Sequence, residues 1–296
     1  MLYEFKVEIL QNDIDMAIEL LNMNEIYQHF YEPKIKVVRV KNGYDYKEVE
    51  TDTLDLKIFA EDTLVDDLPQ SYLQLIAEAL KIKKEEITIR KVEDSNWEPD
   101  FQDLDLGNGW IICYSEKNRN NYSNKNVLNF EPQAAFGTGL HETTQNCLRV
   151  ILSKNLEGQS VLDLGTGSGL LTVAAALKKA KLVTAIDYQP VRREVMHNIK
   201  LNSIVSKIDV IQADLLHSDN FITEKYDFVI INIGADETIQ ILNRHNSLLE
   251  KSSNFLISGI VEWNKEEVIK KFESNGFEVV TEIQTNEWVT FQFQKL

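Results

Sequence analysis

Cysteine is nearly missing from this chain. Cys113 and Cys147 are the only two in 296 residues, and they form no C-x-x-C pair. Neither a disulfide framework nor a structural zinc site is expected, and a reducing cytoplasm is the simplest home. Cationic residues are also scarce. The chain carries 31 Lys and Arg against 47 Asp and Glu, a formal net charge of −16. Neutralising a nucleic-acid backbone needs clustered Lys and Arg, so direct nucleic-acid binding is not expected. A basic partner suits the charge. No apolar run approaches the roughly 18 residues of a membrane span, so no membrane association is expected. The first ten residues, MLYEFKVEIL, carry acids and alternate like a strand, unlike a signal peptide. No internal repeat is visible. The dinucleotide fingerprint G-x-G-x-x-G is absent too, which argues against a nicotinamide-dependent dehydrogenase.

What is present is an ordinary globular composition, 43% hydrophobic, in a chain long enough for two domains. Residues 1–92 read as a small α+β domain of ferredoxin-like type. Strands are expected at 2–10, 34–40, 54–60 and 87–92, with helices at 13–22 and 68–80. The segment 25–31 precedes KIKVVRV at 34–40, a strand suited to pair with it. Residues 93–128 are polar and turn-rich, with an Asn-rich run EKNRNNYSNKN. They read as a connector carrying one strand near 109–114. From 129 to 296 strands alternate with helices, which predicts an α/β domain with a mainly parallel sheet covered on both faces. A closing strand pair, 278–284 and 287–294, predicts an antiparallel edge. One helix is expected over 237–249.

The strongest local signal is VLDLGTGSG at Val161–Gly169. An apolar strand runs into glycines at 165, 167 and 169, followed by an apolar helix over 170–177. A second strand then ends in Asp187. This is a nucleotide-binding βαβ unit in which the glycines admit a ligand close to the backbone. Asp187 is placed to take both ribose hydroxyls of an adenosine. Asp163, two residues before the first glycine, disfavours a pyrophosphate and suits a cationic ligand. S-adenosylmethionine, with a sulfonium, an ammonium and an adenosine, has the right polarity. The bland alternative is a tight strand-to-helix turn without a ligand.

Upstream, Ala134–Thr144 reads AAFGTGLHETT, a second glycine-rich turn at a helix start. Thr143 and Thr144 read there as hydroxyl caps, or as a wall of the same pocket. Downstream, Asn232–Ala235 reads NIGA at the end of a strand. The order AFGTG-x-H-x-TT, DLGTGSG, NI-x-A resembles the PrmA family, with SGI at 258–260 and EWV-x-F at 287–291 in support. The resemblance covers the catalytic domain from about residue 129 and extends more weakly over the N-terminal domain.

That resemblance implies a class I S-adenosylmethionine-dependent methyltransferase acting on amino groups of a basic large-subunit ribosomal protein, the stalk-base protein number eleven. It implies cofactor contacts from Thr144, Gly165, Asp187 and Asn232, and a gripping role for residues 1–92; Gly167 is a cofactor-binding candidate from the glycine turn itself. Asp163 joins that cofactor set on charge. Asp214 stands where such enzymes place an acid near adenine; a strand-end cap is the alternative. Phe136 and Ile233 read as apolar walls. Asn232 with the carbonyl of Ile233 reads as the acceptor pair that aims the target nitrogen, making these two the catalytic candidates. His141 reads as a structural hydrogen-bonder rather than a proton relay. The chain departs from the family at Leu140, Glu142 and Gly234, and with PQAAFG, positions expected to ring the pocket mouth. Another protein or small amine as substrate, or a non-catalytic cofactor-binding paralogue, are the other readings.

Overall fold

A computed structural model describes residues 2–31, 33, 35–49, 51–61, 68–92, 101–119, 121–133, 137–218 and 222–296. Two compact units emerge, residues 1–39 with 44–100, and residues 40–43 with 101–296.

In the first unit the elements run β1 (Leu2–Leu10), α1 (Ile14–Met23), β2 (His29–Tyr31), β3 (Ile35–Val40), β4 (Gly43–Glu48), β5 (Thr53–Glu61), α2 (Leu68–Leu80) and β6 (Ile87–Val92). The antiparallel sheet has the order β2-β5-β1-β6, so the long strands β1 and β5 sit at its centre. Alternation in β1 and β5 aims Phe5, Val7, Leu54, Leu56 and Ile58 at one face, where Leu21 of α1 and Ile76 of α2 meet them. Glu4, buried on the other face, is paired across the sheet by Arg90 at 2.8 Å. The strand at 35–40 pairs with β4 and not with the segment 25–31. The end of that segment, β2, is instead taken up by β5 in the four-stranded sheet.

The second unit opens with β7 (Leu104–Asp105), β8 (Trp110–Cys113) and β9 (Asn126–Asn129), a three-stranded sheet where a connector was expected. Leu106, Ile112, Tyr114 and Leu128 join the core of this unit, so 101–128 belongs to it. The polar run is ordered by Asp103, which accepts hydrogen bonds from Tyr114 N (2.8 Å), Asn118 Nδ2 (2.8 Å) and Tyr122 Oη (2.6 Å). Partial burial pushes the Asp103 carboxyl up, but these donors outweigh it and hold the group below the usual carboxylate range. Residues 93–100 of the expected connector lie outside the described residues.

Next come α3 (Glu142–Ser153), β10 (Ser160–Leu164), α4 (Leu170–Leu177), β11 (Leu182–Asp187), α5 (Arg192–Leu201), β12 (Lys207–Gln212), β13 (Phe228–Asn232), α6 (Ala235–Arg244), α7 (Ser247–Lys251), β14 (Asn254–Val261), α8 (Lys265–Glu273), β15 (Phe277–Thr285) and β16 (Trp288–Lys295). The seven-stranded sheet has the order β12-β11-β10-β13-β14-β16-β15. Its first five strands are parallel, and β16 and β15 close it antiparallel, as the alternation predicts. The expected helix over 237–249 is broken at His245, whose buried ring meets Leu215 O at 3.1 Å and whose φ and ψ leave the helical region. Four phenylalanines, 255, 272, 277 and 293, knit β14, α8, β15 and β16 together, with Phe272 stacked on Phe293 at 4.0 Å. Such ring pairs contribute about 0.5–1.5 kcal/mol each beyond their burial.

The segment leading to the first glycine-rich turn is zipped to α5. Asn202, Asn198 and Glu194 accept from the backbone N–H groups of Asn129 (2.8 Å), Glu131 (2.9 Å) and Gln133 (3.0 Å). The match has a geometric cause. Two residues of extended chain advance about 6.7 Å, nearly the ~6 Å advance of four helical residues.

Candidate active site

The strand order reverses between β10 and β13, because the chain leaves β10 toward β11 and returns on the other side. Ligands of open α/β sheets bind in the crevice at that switch point, beyond the carboxyl ends of the strands. A cavity of about 560 Å³ lies there, a volume within the range of cofactor sites.

The glycine turn after β10 forms its floor. Gly165 N and Thr166 N donate to Ile186 O at 2.9 and 3.1 Å, clamping the turn to β11. Gly165 takes φ +72°, and a Cβ there would meet Ile233 Cγ2 at 2.9 Å. Gly165, Gly167, Asp187, Thr144, Asn232, Ile233 and Asp214 all line the cavity. Asp187 ends β11, with Oδ2 accepting from Gly167 N (2.8 Å) and Oδ1 from Gln189 N (2.9 Å). An ionised carboxylate has about four acceptor positions, so two remain after the backbone has fixed its orientation. That is the capacity a ribose diol needs.

Asp163 does not line the cavity. Its carboxylate is buried, and Oδ2 accepts from Thr166 Oγ1 and Thr172 Oγ1, both at 2.7 Å. Burial pushes its carboxyl up to about 6. The expected contact with a cationic ligand therefore gives way to a brace joining β10, the turn and α4. Two nearby hydroxyls capture the carboxylate more cheaply than an open pocket can. Asp214 lines the cavity but spends its oxygens on its own loop. Oδ1 accepts from Leu216 N and His217 N at 2.9 and 3.1 Å, and Oδ2 meets His217 Nδ1 at 2.9 Å. The His217 hydrogen bond leads the effects that hold this carboxyl below its ordinary range.

His141 is the N-cap of α3, accepting from Thr143 N through Nδ1 at 3.3 Å, so the cap is the imidazole and not a threonine hydroxyl. Its ring stands edge-on to Trp288 at 4.7 Å. That leaves Thr144 Oγ1 to accept from Asn232 Nδ2 at 3.3 Å. Asn232 Oδ1 is buried with no partner among the described residues. A buried amide oxygen without a donor costs about 1–3 kcal/mol, and this one borders a ligand-sized cavity. Glu237 on α6 and Ile241 also line the cavity; their helical spacing signals a buried face in sequence but not its ligand side. Of the departures from the family, Gly234 lines the cavity, whereas Leu140 and Glu142 do not. Leu140 is exposed, and Glu142 accepts from Asn286 Nδ2 at 3.3 Å. Phe136 lies outside the described residues.

A family profile described as ribosomal protein L11 methyltransferase (PrmA) matches residues 7–296. The chain belongs to the PrmA family. Its similarity to the ribosomal protein L11 methyltransferase of Caldicellulosiruptor saccharolyticus is 35% identity over 214 residues, 71% of this chain and 69% of the relative. The Bacillus subtilis enzyme of the same name is 29% identical over 237 residues, 78% of this chain and 75% of the relative. The crystal structure of a ribosomal protein L11 methylase from Lactobacillus delbrueckii subsp. bulgaricus superposes with a TM-score of 0.57 at 24% identity. It covers 66% of this chain and all of that one, and supports the fold. This PrmA member is thus a Rossmann-like, S-adenosylmethionine-dependent methyltransferase. The cavity, the free acceptor positions of Asp187 and the orphaned Asn232 oxygen fit that cofactor and an amine beside it.

Proposed function

We propose that this enzyme methylates amino groups of ribosomal protein L11, on lysine side chains, the N-terminal amine, or both. The observation that carries the reading is the Oδ1 of Asn232, which has no partner among the described residues and belongs to a side chain at the end of β13 that lines the cavity. Nδ2 donates to Thr144 Oγ1 while Oδ1 has no donor among the described residues, so the amide keeps an acceptor to offer an N–H of the target amine. Together with the Ile233 carbonyl it aims the lone pair of the target nitrogen at the methyl group. S-adenosylmethionine would supply that methyl from its sulfonium, whose sulfur leaves as a neutral thioether. Gly165 and Gly167 admit the cofactor to the backbone, and Asp187 takes its ribose hydroxyls. Alignment of this kind contributes on the order of 7–11 kcal/mol at best. The target amine must be neutral to attack, and desolvation beside Ile233 and Ile241 disfavours its protonated form.

The acidic surface, net −16, suits a basic protein substrate. The first unit, with a core of its own, grips that substrate in this reading. The test uses labelled S-adenosylmethionine and ribosomal proteins from cells lacking this gene. Label on ribosomal protein L11 is the expected result. Label on another protein assigns a different substrate, and binding without transfer ends the enzymatic reading.

A further inference from the structure

The strand next to the acceptor turn carries an irregularity placed against it. β14 runs parallel to β13 in register up to the pair Asn232–Ser258. On its other side β14 pairs with β16, where Ile257 faces Phe291 but Ile260 faces Val289. Three steps along β14 thus match two along β16, so Ser258–Gly259 forms a β-bulge. Bulges bend a strand and re-aim what lies beside it. Gly259 takes φ +79°. A Cβ built there would lie 2.4 Å from Ile233 O, 2.8 Å from its C and 3.0 Å from its N. All three are backbone atoms of one residue, so no rotamer change relieves the contact. The bulge is pinned from behind by Ser258 Oγ and Thr290 Oγ1, 2.6 Å apart and both buried. Thr290 is the β16 residue opposite the extra one.

We propose that Gly259 is a positioning residue for methyl transfer: its bulge lets β14 lie against the Ile233 peptide and fixes the Asn232–Ile233 acceptor turn. This rests on the amine-methylation reading above. Gly259 does not line the cavity. Its missing side chain sets where the turn sits, and a displacement of ~1 Å in such a turn costs about 100-fold in rate.

Gly158 supplies the control. It has φ +79° as well, but a Cβ there meets nothing within 4 Å. Gly158→Ala and Gly259→Ala thus place a side chain at the same positive φ, and only the second pushes on Ile233. In the full-length chain, Gly259→Ala should lower kcat about 10- to 100-fold. Its Kd for S-adenosylmethionine and its KM for ribosomal protein L11 should stay within about threefold. Gly158→Ala should keep wild-type kcat. Amide NMR supplies a readout without turnover: the Ile233 and Gly234 resonances should move in Gly259→Ala and stay in Gly158→Ala. Wild-type kcat in folded Gly259→Ala, unmoved Ile233 and Gly234 amides, or an equal kcat loss in Gly158→Ala overturns the proposal. If Gly259→Ala fails to fold, Thr290→Val removes the pin while keeping the glycine. It must then move the same amides and lower kcat at unchanged cofactor affinity, and no change overturns the proposal. Absence of label transfer by the wild-type protein would instead overturn the substrate reading, and the amide shifts would still decide the role of Gly259.

Discussion

Thr144 Oγ1 accepts a hydrogen bond from Asn232 Nδ2 at 3.3 Å, across 88 positions of sequence. The contact holds one end of an amide that lines the cavity. With the nitrogen engaged, the oxygen is buried and has no partner among the described residues. Asn232→Ala should bind S-adenosylmethionine within a few-fold of wild type while losing at least about 100-fold in kcat. Thr144→Val should lose less, about 3- to 10-fold, the worth of one neutral hydrogen bond. Calorimetric binding set beside methyl-transfer rates checks both. Full turnover in Asn232→Ala would remove the assigned role.

Asp187 should control affinity and not rate. Its oxygens are held by Gly167 N and Gln189 N, which leaves acceptor capacity for hydroxyls. Asp187→Asn keeps the shape and gives up the charge-assisted bonds, worth about 1.5–3 kcal/mol. Titration calorimetry should show roughly 10- to 100-fold weaker cofactor binding. Unchanged affinity would mean that the ribose is held elsewhere.

Asp163 gives the fold a pH dependence. Burial raises its carboxyl from 3.8 to about 6. Below about 3.8 it is protonated in both the folded and unfolded states. As pH rises from there through about 6, the unfolded chain sheds its proton first and the folded state must then carry a buried charge, so stability is lost. Above that range the loss levels off at about 3 kcal/mol. Asp163→Asn stays neutral, so its stability relative to wild type should improve by about 1–1.5 kcal/mol between pH 5 and pH 7.5. Urea unfolding at the two pH values measures this. A pH-independent difference would show that the carboxyl titrates normally.

The boundary of the catalytic unit is testable by truncation. A chain starting at Phe101 keeps Leu106, Ile112, Tyr114 and Leu128 in the core and should fold and bind S-adenosylmethionine. One starting at Asn129 deletes these four buried side chains, each worth about 1.5–3 kcal/mol, and should not fold. Circular dichroism and cofactor binding decide between them. Either chain should fail to methylate ribosomal protein L11 if the first unit grips the substrate. Normal methylation by the Phe101 chain would overturn that role.

Much of the architecture was legible because it is locally encoded. Period-two and period-3.6 patterns mark the strands and helices of the seven-stranded sheet to within a residue or two. Breaks in the pattern were harder. The helix expected over 237–249 splits at His245, because the contact that interrupts it comes from Leu215, thirty positions upstream. Polar composition likewise hid the sheet at 104–129, since the order there comes from Asp103 gathering donors along the next nineteen residues.

By itself the sequence determined the glycine turn after a parallel strand, the acid ending the next strand and the Asn ending the fourth. These depend on backbone conformations that only certain residues adopt and on topology that places strand ends together. Only the tertiary structure decided what each carboxylate and amide faces. Asp163 turns to Thr166 and Thr172, Asp214 caps its own loop, and Asn232 gives its nitrogen to Thr144. A residue type fixes what a side chain can donate or accept. Which partner satisfies it depends on groups brought within hydrogen-bonding reach by the packing of distant segments, and no local periodicity records that.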